Sequence, residues 1–169
     1  MPVTAVYPGT FDPFTNGHGD LLRRATRLFP RLILAVARNP QKSPLFTLEE
    51  RLAIAHQAIA DLPEIEIDTF DMLTVDYVRS KGAQVIVRGV RAVSDFEFEF
   101  AMALMNRKIN EEIETVFLMP SQSYTYLSSR LVKEVALLGG NVDDLVPALA
   151  ATLLKERASR SRSTARREA

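Results

Sequence analysis

The amino-acid sequence predicts an open α/β domain: a parallel sheet of about five strands, helices on both faces, and a further helical segment at the C-terminal end. Three observations predict it. Short apolar runs of strand length recur five times, segments of helical spacing fall between them, and 169 residues with 47% hydrophobic and 25% charged composition suit one well-buried core. Regular alternation of strand and helix calls for crossover connections of one hand, and such crossovers lay the strands parallel.

The strand candidates are "VTAVY" (3–7), "LILAVA" (32–37), "IEIDTF" (65–70), "QVIVRG" (84–89) and "TVFLMP" (115–120). Most are nearly continuous apolar runs rather than alternating ones, as expected of strands covered on both faces. Helical spacing is predicted over 17–29, 47–60, 74–81, 94–109 and 128–138. Gly139-Gly140 stops the last of these, and a closing helix begins near Pro147. Thr47 with Glu50 and Ser94 with Glu97 both have capping-box spacing. Phe96, Phe98 and Phe100 read as core or subunit contact rather than nucleotide stacking. Residues 1–158 form the expected domain, and the Arg/Ser/Ala-rich residues 159–169 read as a basic, frayed or disordered tail.

Composition excludes several kinds of chemistry. The chain has no cysteine, which removes disulfides, thiolate nucleophiles and cysteine-ligated zinc, and His18 and His56 are its two histidines. No apolar stretch approaches the ~18 residues of a membrane helix, and the N-terminus lacks the pattern of a signal peptide, so a cytoplasmic location is expected. Zero net charge hides an uneven distribution: residues 155–169 hold six Lys/Arg against Glu156 and Glu168, leaving 15 basic and 19 acidic residues elsewhere. The body of the protein therefore does not attract nucleic acid through its overall field, although the tail alone could.

In an open parallel sheet, ligands bind beyond the carboxyl ends of the strands. The first strand delivers Pro8-Gly9-Thr10-Phe11 there, the second Arg38 with Lys42 shortly after, the fourth Arg88-Gly89-Val90-Arg91, and the fifth Pro120-Ser121. Four cations from two segments at one edge suit a ligand with several phosphates. The turn-rich stretch "PGTFDPFTNGH" (8–18) joins the first strand to the first helix, whose N-terminus can face an anion. Two familiar phosphate loops do not fit it. Gly9 and Gly17 are too far apart for G-x-x-x-x-G-K-[ST], and Leu22 stands where G-x-G-x-x-G needs its third glycine.

Thr15-Asn16-Gly17-His18 does resemble the (H/T)xGH motif of nucleotidylyltransferases. The blocks "YPGTFDPFTNGH", "FTLEER", "RGVRAVSDFEFE", "MNRKI", "VFLMPS" and "SSRLVKEVA" resemble, in order and up to about residue 150, those of the phosphopantetheine adenylyltransferase family. The resemblance implies a Rossmann-like sheet and transfer of adenylyl from ATP to 4′-phosphopantetheine, giving dephospho-coenzyme A and pyrophosphate. It assigns His18 to stabilising the transition state by donating to phosphate oxygens. Thr10, Lys42 and Arg88 are implied to hold the acceptor's phosphate, and Leu73, Thr74, Asn106 and Glu134 its pantetheine arm. On the ATP side it implies Thr10, the backbone of Phe11, His18, Gly89, Val90, Arg91, Glu99 and the run Tyr124, Thr125, Tyr126, Leu127, Ser128, Ser129 and Arg130. Arg130 stands where many relatives carry Ser or Thr, exchanging a hydroxyl for a cation. The acceptor is itself an ionised phosphate, so the chemistry needs no general base and agrees with a chain that shows no nucleophile–base pair.

The resemblance further implies Mg²⁺ arriving with ATP and no protein-only metal cage. It also implies a homohexamer and feedback inhibition by coenzyme A. Bland readings stand beside these roles: a turn hydroxyl for Thr10, an exposed loop lysine for Lys42, a structural histidine for His18. The competing functions are a sister nucleotidylyltransferase acting on nicotinamide mononucleotide, which should lack the "RGVRAVSDFEFE" block, and a nucleotide-sensing or RNA-binding module working through the tail.

Overall fold

Strand β1 (Thr4–Gly9) lies at the centre of a five-stranded, all-parallel sheet ordered β3-β2-β1-β4-β5, with β2 Arg31–Ala37, β3 Ile65–Phe70, β4 Val85–Gly89 and β5 Glu114–Leu118. The structure, a computed structural model, describes residues 2–38 and 43–168, with the side chains of Ser94 and of residues 161–168 outside the description. Helices follow the strands in turn: α1 Asn16–Thr26, α2 Leu48–Ala58, α3 Thr74–Ser80, α4 Val93–Ile109, α5 Ser129–Leu137 and α6 Ala148–Glu168, with a 3-10 turn at Gln122–Tyr124. The predicted open α/β architecture is thus observed, element for element.

Alternation along the strands divides the core in two. Ala5 and Tyr7 of β1 and Leu32, Leu34 and Val36 of β2 face one cluster, which takes in Leu22 of α1, Ile54 of α2, Val132 of α5 and Leu154 of α6. Val6, Ile33, Ala35 and Ile86 face the other, closed by Val75, Tyr77 and Val78 of α3. The connections explain the division. Chain order runs outward from β1 to β3 and then returns across the centre to β4 and β5, and a fixed crossover hand puts the helices of the two directions on opposite faces. The reversal falls between β1 and β4, and there the ladder is short: pairing ends at Val6 opposite Ile86, whereas β1–β2 pairing continues to Gly9 opposite Val36. A gap therefore opens between the carboxyl halves of β1 and β4, the place where such sheets bind ligands.

Local signals set the helix ends. Thr15 caps α1 and Thr47 caps α2, each in a complete capping box, with His18 and Glu50 as the reciprocal partners. Gly139, at φ 93, ends the run of α5 in a conformation that a side chain disfavours, and its N–H closes on the Ala136 carbonyl at 2.9 Å. The box expected at Ser94 and Glu97 is not the start of α4. That helix begins at Val93 behind Ala92, which has no side-chain acceptor, so the observed start lies two residues before the one the spacing suggested. Phe96, Phe98 and Phe100 are 44%, 65% and 47% exposed, so they are not core of this chain. The segment from Ser159, expected as a tail, is the last part of α6. Among the described residues no helix is long and apolar enough to cross a membrane.

Candidate active site

The loop from Thr10 to Thr15 turns the chain from β1 into α1 and builds one wall of the gap. Phe11 takes φ 49, a left-handed conformation that non-glycine residues rarely adopt, and its ring is buried against Tyr7 and Phe14. His18 packs edge-on to Phe11, with ring centroids 5.1 Å apart, and beside Phe14 at 5.3 Å. The capping box orients it: the Thr15 N–H donates to His18 Nδ1 at 2.9 Å. A ring nitrogen that accepts carries no proton, so the proton sits on Nε2 and that nitrogen is the donor. Burial pushes the imidazole pKa down to about 3, with the positive charges of Arg91 and Arg88 adding to the effect. His18 is therefore a neutral N–H donor at physiological pH rather than an acid or a cation.

Residues at and just beyond the end of β4 form the opposite wall. Arg88 Nη1 reaches across the gap and donates to the Pro8 carbonyl at 2.7 Å, a bond the ladder no longer supplies. Its other edge forks onto Glu99, Nε to Oε2 at 2.7 Å, so both carboxylate oxygens are engaged. Burial works against the Arg88 charge, and the Glu99 carboxylate overcomes it, leaving the pKa raised. Arg91 is held in the same manner, with Nε on Asp95 at 2.8 Å and Nη1 on the Leu127 carbonyl at 2.6 Å. Each arginine keeps part of its donor set uncommitted. The third wall is the start of α5. Ser128 caps it by accepting from Leu131 N–H at 3.1 Å, and the Ser129 hydroxyl donates to the Pro13 carbonyl at 2.7 Å.

Two clefts result. One, of about 460 Å³, is lined by Thr10, Phe11, His18, Gly89, Arg91 and Tyr124, together with Leu127, Ser128 and Ser129. The other, of about 780 Å³, runs towards α3 and α4 past Leu73, Thr74, Met102 and Asn106. They meet at Pro8, Gly9, Thr10, Arg88 and Glu99, which line both. The resemblance assigned the first group to a nucleotide, and Leu73, Thr74 and Asn106 of the second to an acceptor arm, and the fold keeps the two groups apart with Thr10 and Arg88 at their junction.

Of the remaining predicted residues, five lie outside both clefts. Val90 is buried, its N–H bonded to the Leu118 carbonyl at 3.0 Å. Thr125, Tyr126 and Arg130 are exposed and line neither cleft. Glu134 is exposed outside both clefts, because its neighbour Lys133 takes the cleft face and successive helix residues point about 100° apart. Lys42 lies outside the described residues. Glu99, assigned to the nucleotide, has its carboxylate on Arg88.

Three residues of the site have roles that the sequence did not disclose. Asp12 accepts from the N–H groups of Leu45 at 3.0 Å and Phe46 at 2.9 Å and pairs with Lys133, which lines the nucleotide cleft. Asp20 accepts from the Ser121 N–H at 2.8 Å, tying the end of β5 to α1. Arg51 is almost fully buried and donates to the Thr10 carbonyl at 2.8 Å. The signal available was their place inside "TFDP", "GHGD" and "EER"; the Leu45, Phe46, Lys133, Ser121 and Thr10 partners, 33 to 121 residues away, were not readable from it.

Among the described residues no group of three or more His, Asp or Glu side chains could hold a metal ion. Three carboxylates line the two clefts, Asp12, Asp71 and Glu99, and of these Asp12 and Glu99 are engaged in ion pairs.

Comparison with known proteins agrees with this geometry. The cytidylyltransferase-like family model matches residues 6–135. The chain is 57% identical over 161 residues to the phosphopantetheine adenylyltransferase of Alkalilimnicola ehrlichii, covering 94% of this chain and 92% of that protein. It is 55% identical over 153 residues to that of Carboxydothermus hydrogenoformans, covering 90% and 94%. Among solved structures, the Plasmodium falciparum nicotinic acid mononucleotide adenylyltransferase superposes with a TM-score of 0.66 at 14% identity, over 92% of this chain and 96% of that one. The last likeness is one of fold; the first two reach across nearly the full length of both chains, and by them this chain belongs to the phosphopantetheine adenylyltransferase family.

Proposed function

We propose that the protein transfers the adenylyl group of ATP to the phosphate of 4′-phosphopantetheine, forming dephospho-coenzyme A and releasing pyrophosphate. The carrying observation is the pair of clefts that meet at Thr10 and Arg88, with the His18 N–H donor on the nucleotide side. ATP occupies the cleft of His18, Arg91 and Ser129, and the acceptor arm lies along Leu73, Thr74 and Asn106. An ionised oxygen of the acceptor phosphate attacks the α-phosphorus, and the bond from that phosphorus to the oxygen of the departing pyrophosphate breaks. No proton has to be removed from the nucleophile. The work of the protein is alignment and stabilisation of charge on the phosphate oxygens by neutral N–H and guanidinium donors.

The relatives' shared name and the ordered blocks of matching residues support phosphopantetheine as acceptor. Mg²⁺ enters as the ATP complex, held by nucleotide oxygens and water. A homohexamer, feedback inhibition by coenzyme A and a cytoplasmic location are part of the same reading. The apolar face of α4, with Val93, Phe98, Leu104 and Met105 at least half exposed, supports assembly. The deciding experiment is pyrophosphate release from MgATP with phosphopantetheine, pantetheine lacking its phosphate, and nicotinamide mononucleotide. Turnover with the first alone is expected, and preference for the nicotinamide acceptor would overturn the reading.

A further inference from the structure

Arg51 is the largest fully buried side chain among the described residues, 1% exposed. Its Nη1 donates to the carbonyls of Thr10 at 2.8 Å and Ala37 at 2.7 Å, and its Nη2 to that of Arg38 at 3.2 Å. Its Nε–H is buried without a partner. Burial pulls its pKa down, against the carboxylates of Asp12 and Glu49. A buried guanidinium with an orphaned donor is a poor device for stability, since an apolar side chain of similar volume would serve as well or better. The three carbonyls explain its presence by their position. Thr10 and Ala37 are the first residues past the last β1–β2 pair, Gly9 opposite Val36, so the guanidinium stands where the ladder has run out.

We propose that Arg51 is a positioning residue for adenylyl transfer: inserted between the ends of β1 and β2, its planar fork fixes the Thr10 backbone and thereby the Thr10 side chain at the junction of the two clefts. The assignment rests on the function proposed above. Only a fork spans carbonyls on two strands at once. A lysine would bring the charge as a single point and bond one side at the expense of the other. Thr10 is the residue that gains, because it lines both clefts, and a small displacement there changes the line of approach between two bound phosphates.

The test is a double-mutant cycle on pyrophosphate release with Arg51→Lys, Thr10→Ala and the two combined. Arg51→Lys is expected to lower kcat by ~10- to 100-fold while both KM values move by less than ~3-fold. The double variant is expected to be no slower than the slower single one by more than ~2-fold. A double variant whose loss is the product of the two single losses overturns the proposal, as does Arg51→Lys with a lowered Tm and unchanged kcat. Should Arg51→Lys not fold, Thr47→Ala decides, because it loosens the first turn of α2, which leads into Arg51, from outside the core. A few-fold fall in kcat that disappears on the Thr10→Ala background supports the role, and an unchanged kcat counts against it. Failure of the functional reading itself is separate: wild-type protein would then release no pyrophosphate with phosphopantetheine.

Discussion

Along its β2 edge, strand β1 is paired from Thr4 to Gly9, whereas along its β4 edge the pairing stops at Val6 opposite Ile86. Both clefts take in the gap on the second side, and the larger one also runs past Ala37 and Phe70 at the ends of β2 and β3. An arginine takes over where each ladder ends, Arg51 bonding the Thr10 carbonyl and Arg88 the Pro8 carbonyl, yet the two are not alike. Arg51 is sealed in the core, while the Arg88 side chain is 31% exposed and shares its charge with Glu99 between two cavities. The difference shows how one strand can be held rigidly and still present a binding edge. Full pairing on one side fixes the backbone, and early separation on the other leaves carbonyls, glycines and charged forks open to ligand.

The comparison can be broken from the open side first. His18→Ala is expected to keep the fold and ATP binding and to lower kcat by ~10²–10³-fold, the usual effect of removing one transition-state donor. Near-normal turnover would remove His18 from the chemistry. Next, Arg88→Ala is expected to raise the KM for phosphopantetheine by ~10-fold or more and that for ATP much less, if Arg88 holds the acceptor's phosphate as the proposed function has it. An equal rise in both would mean that the residue only braces the gap. On the paired side, Thr47→Ala is expected to lower kcat only a few-fold and to cost ~1 kcal/mol of stability from the capping box of α2, seen as a lower denaturant midpoint at unchanged m.

The smallest expected change is none. Titration of the free protein followed by NMR should show no movement of the His18 imidazole between pH 5 and 8, because its folded pKa is about 3 against an ordinary 6.5. Between those values the unfolded chain binds the proton and the folded one does not. This group's contribution to stability is thus complete above about pH 6.5 and is lost as pH falls towards 3. A midpoint near 6.5 for His18 would show a solvated ring and a different tautomer at the site.

The fold was legible because it is written in local terms. Apolar runs such as "LILAVA", helical spacing after each of them and the stop at Gly139 are properties of neighbours in the chain, and each corresponds to an observed element. Half of the site was legible for the same reason. The rule that ligands gather at the carboxyl ends of parallel strands turned Thr10, Arg88 and Arg91 into candidates, and the T-x-G-H and late serine motifs added His18, Ser128 and Ser129. Where the reading went astray, a local pattern was taken for a structural one. Ser94 and Glu97 have the spacing of a cap on a helix that starts elsewhere, whereas of the two readings of Phe96 to Phe100, core or subunit contact, their exposure removes only the first.

By itself, then, the sequence determined the order of strands and helices, the end of the sheet that binds and the residue types assembled there, since propensity, periodicity and motif spacing act over a few residues. Only the tertiary structure decided which partner each charge has. Arg88 on Glu99 and Pro8, Asp12 on Lys133, and Arg51 on Thr10, Ala37 and Arg38 are choices made between different elements of the fold, 11 to 121 residues apart in the chain. The physical reason is that a charge is satisfied in three dimensions. A buried guanidinium or carboxylate takes whichever carbonyl, N–H or opposite charge the packed fold brings within about 3 Å, and sequence distance does not enter that selection.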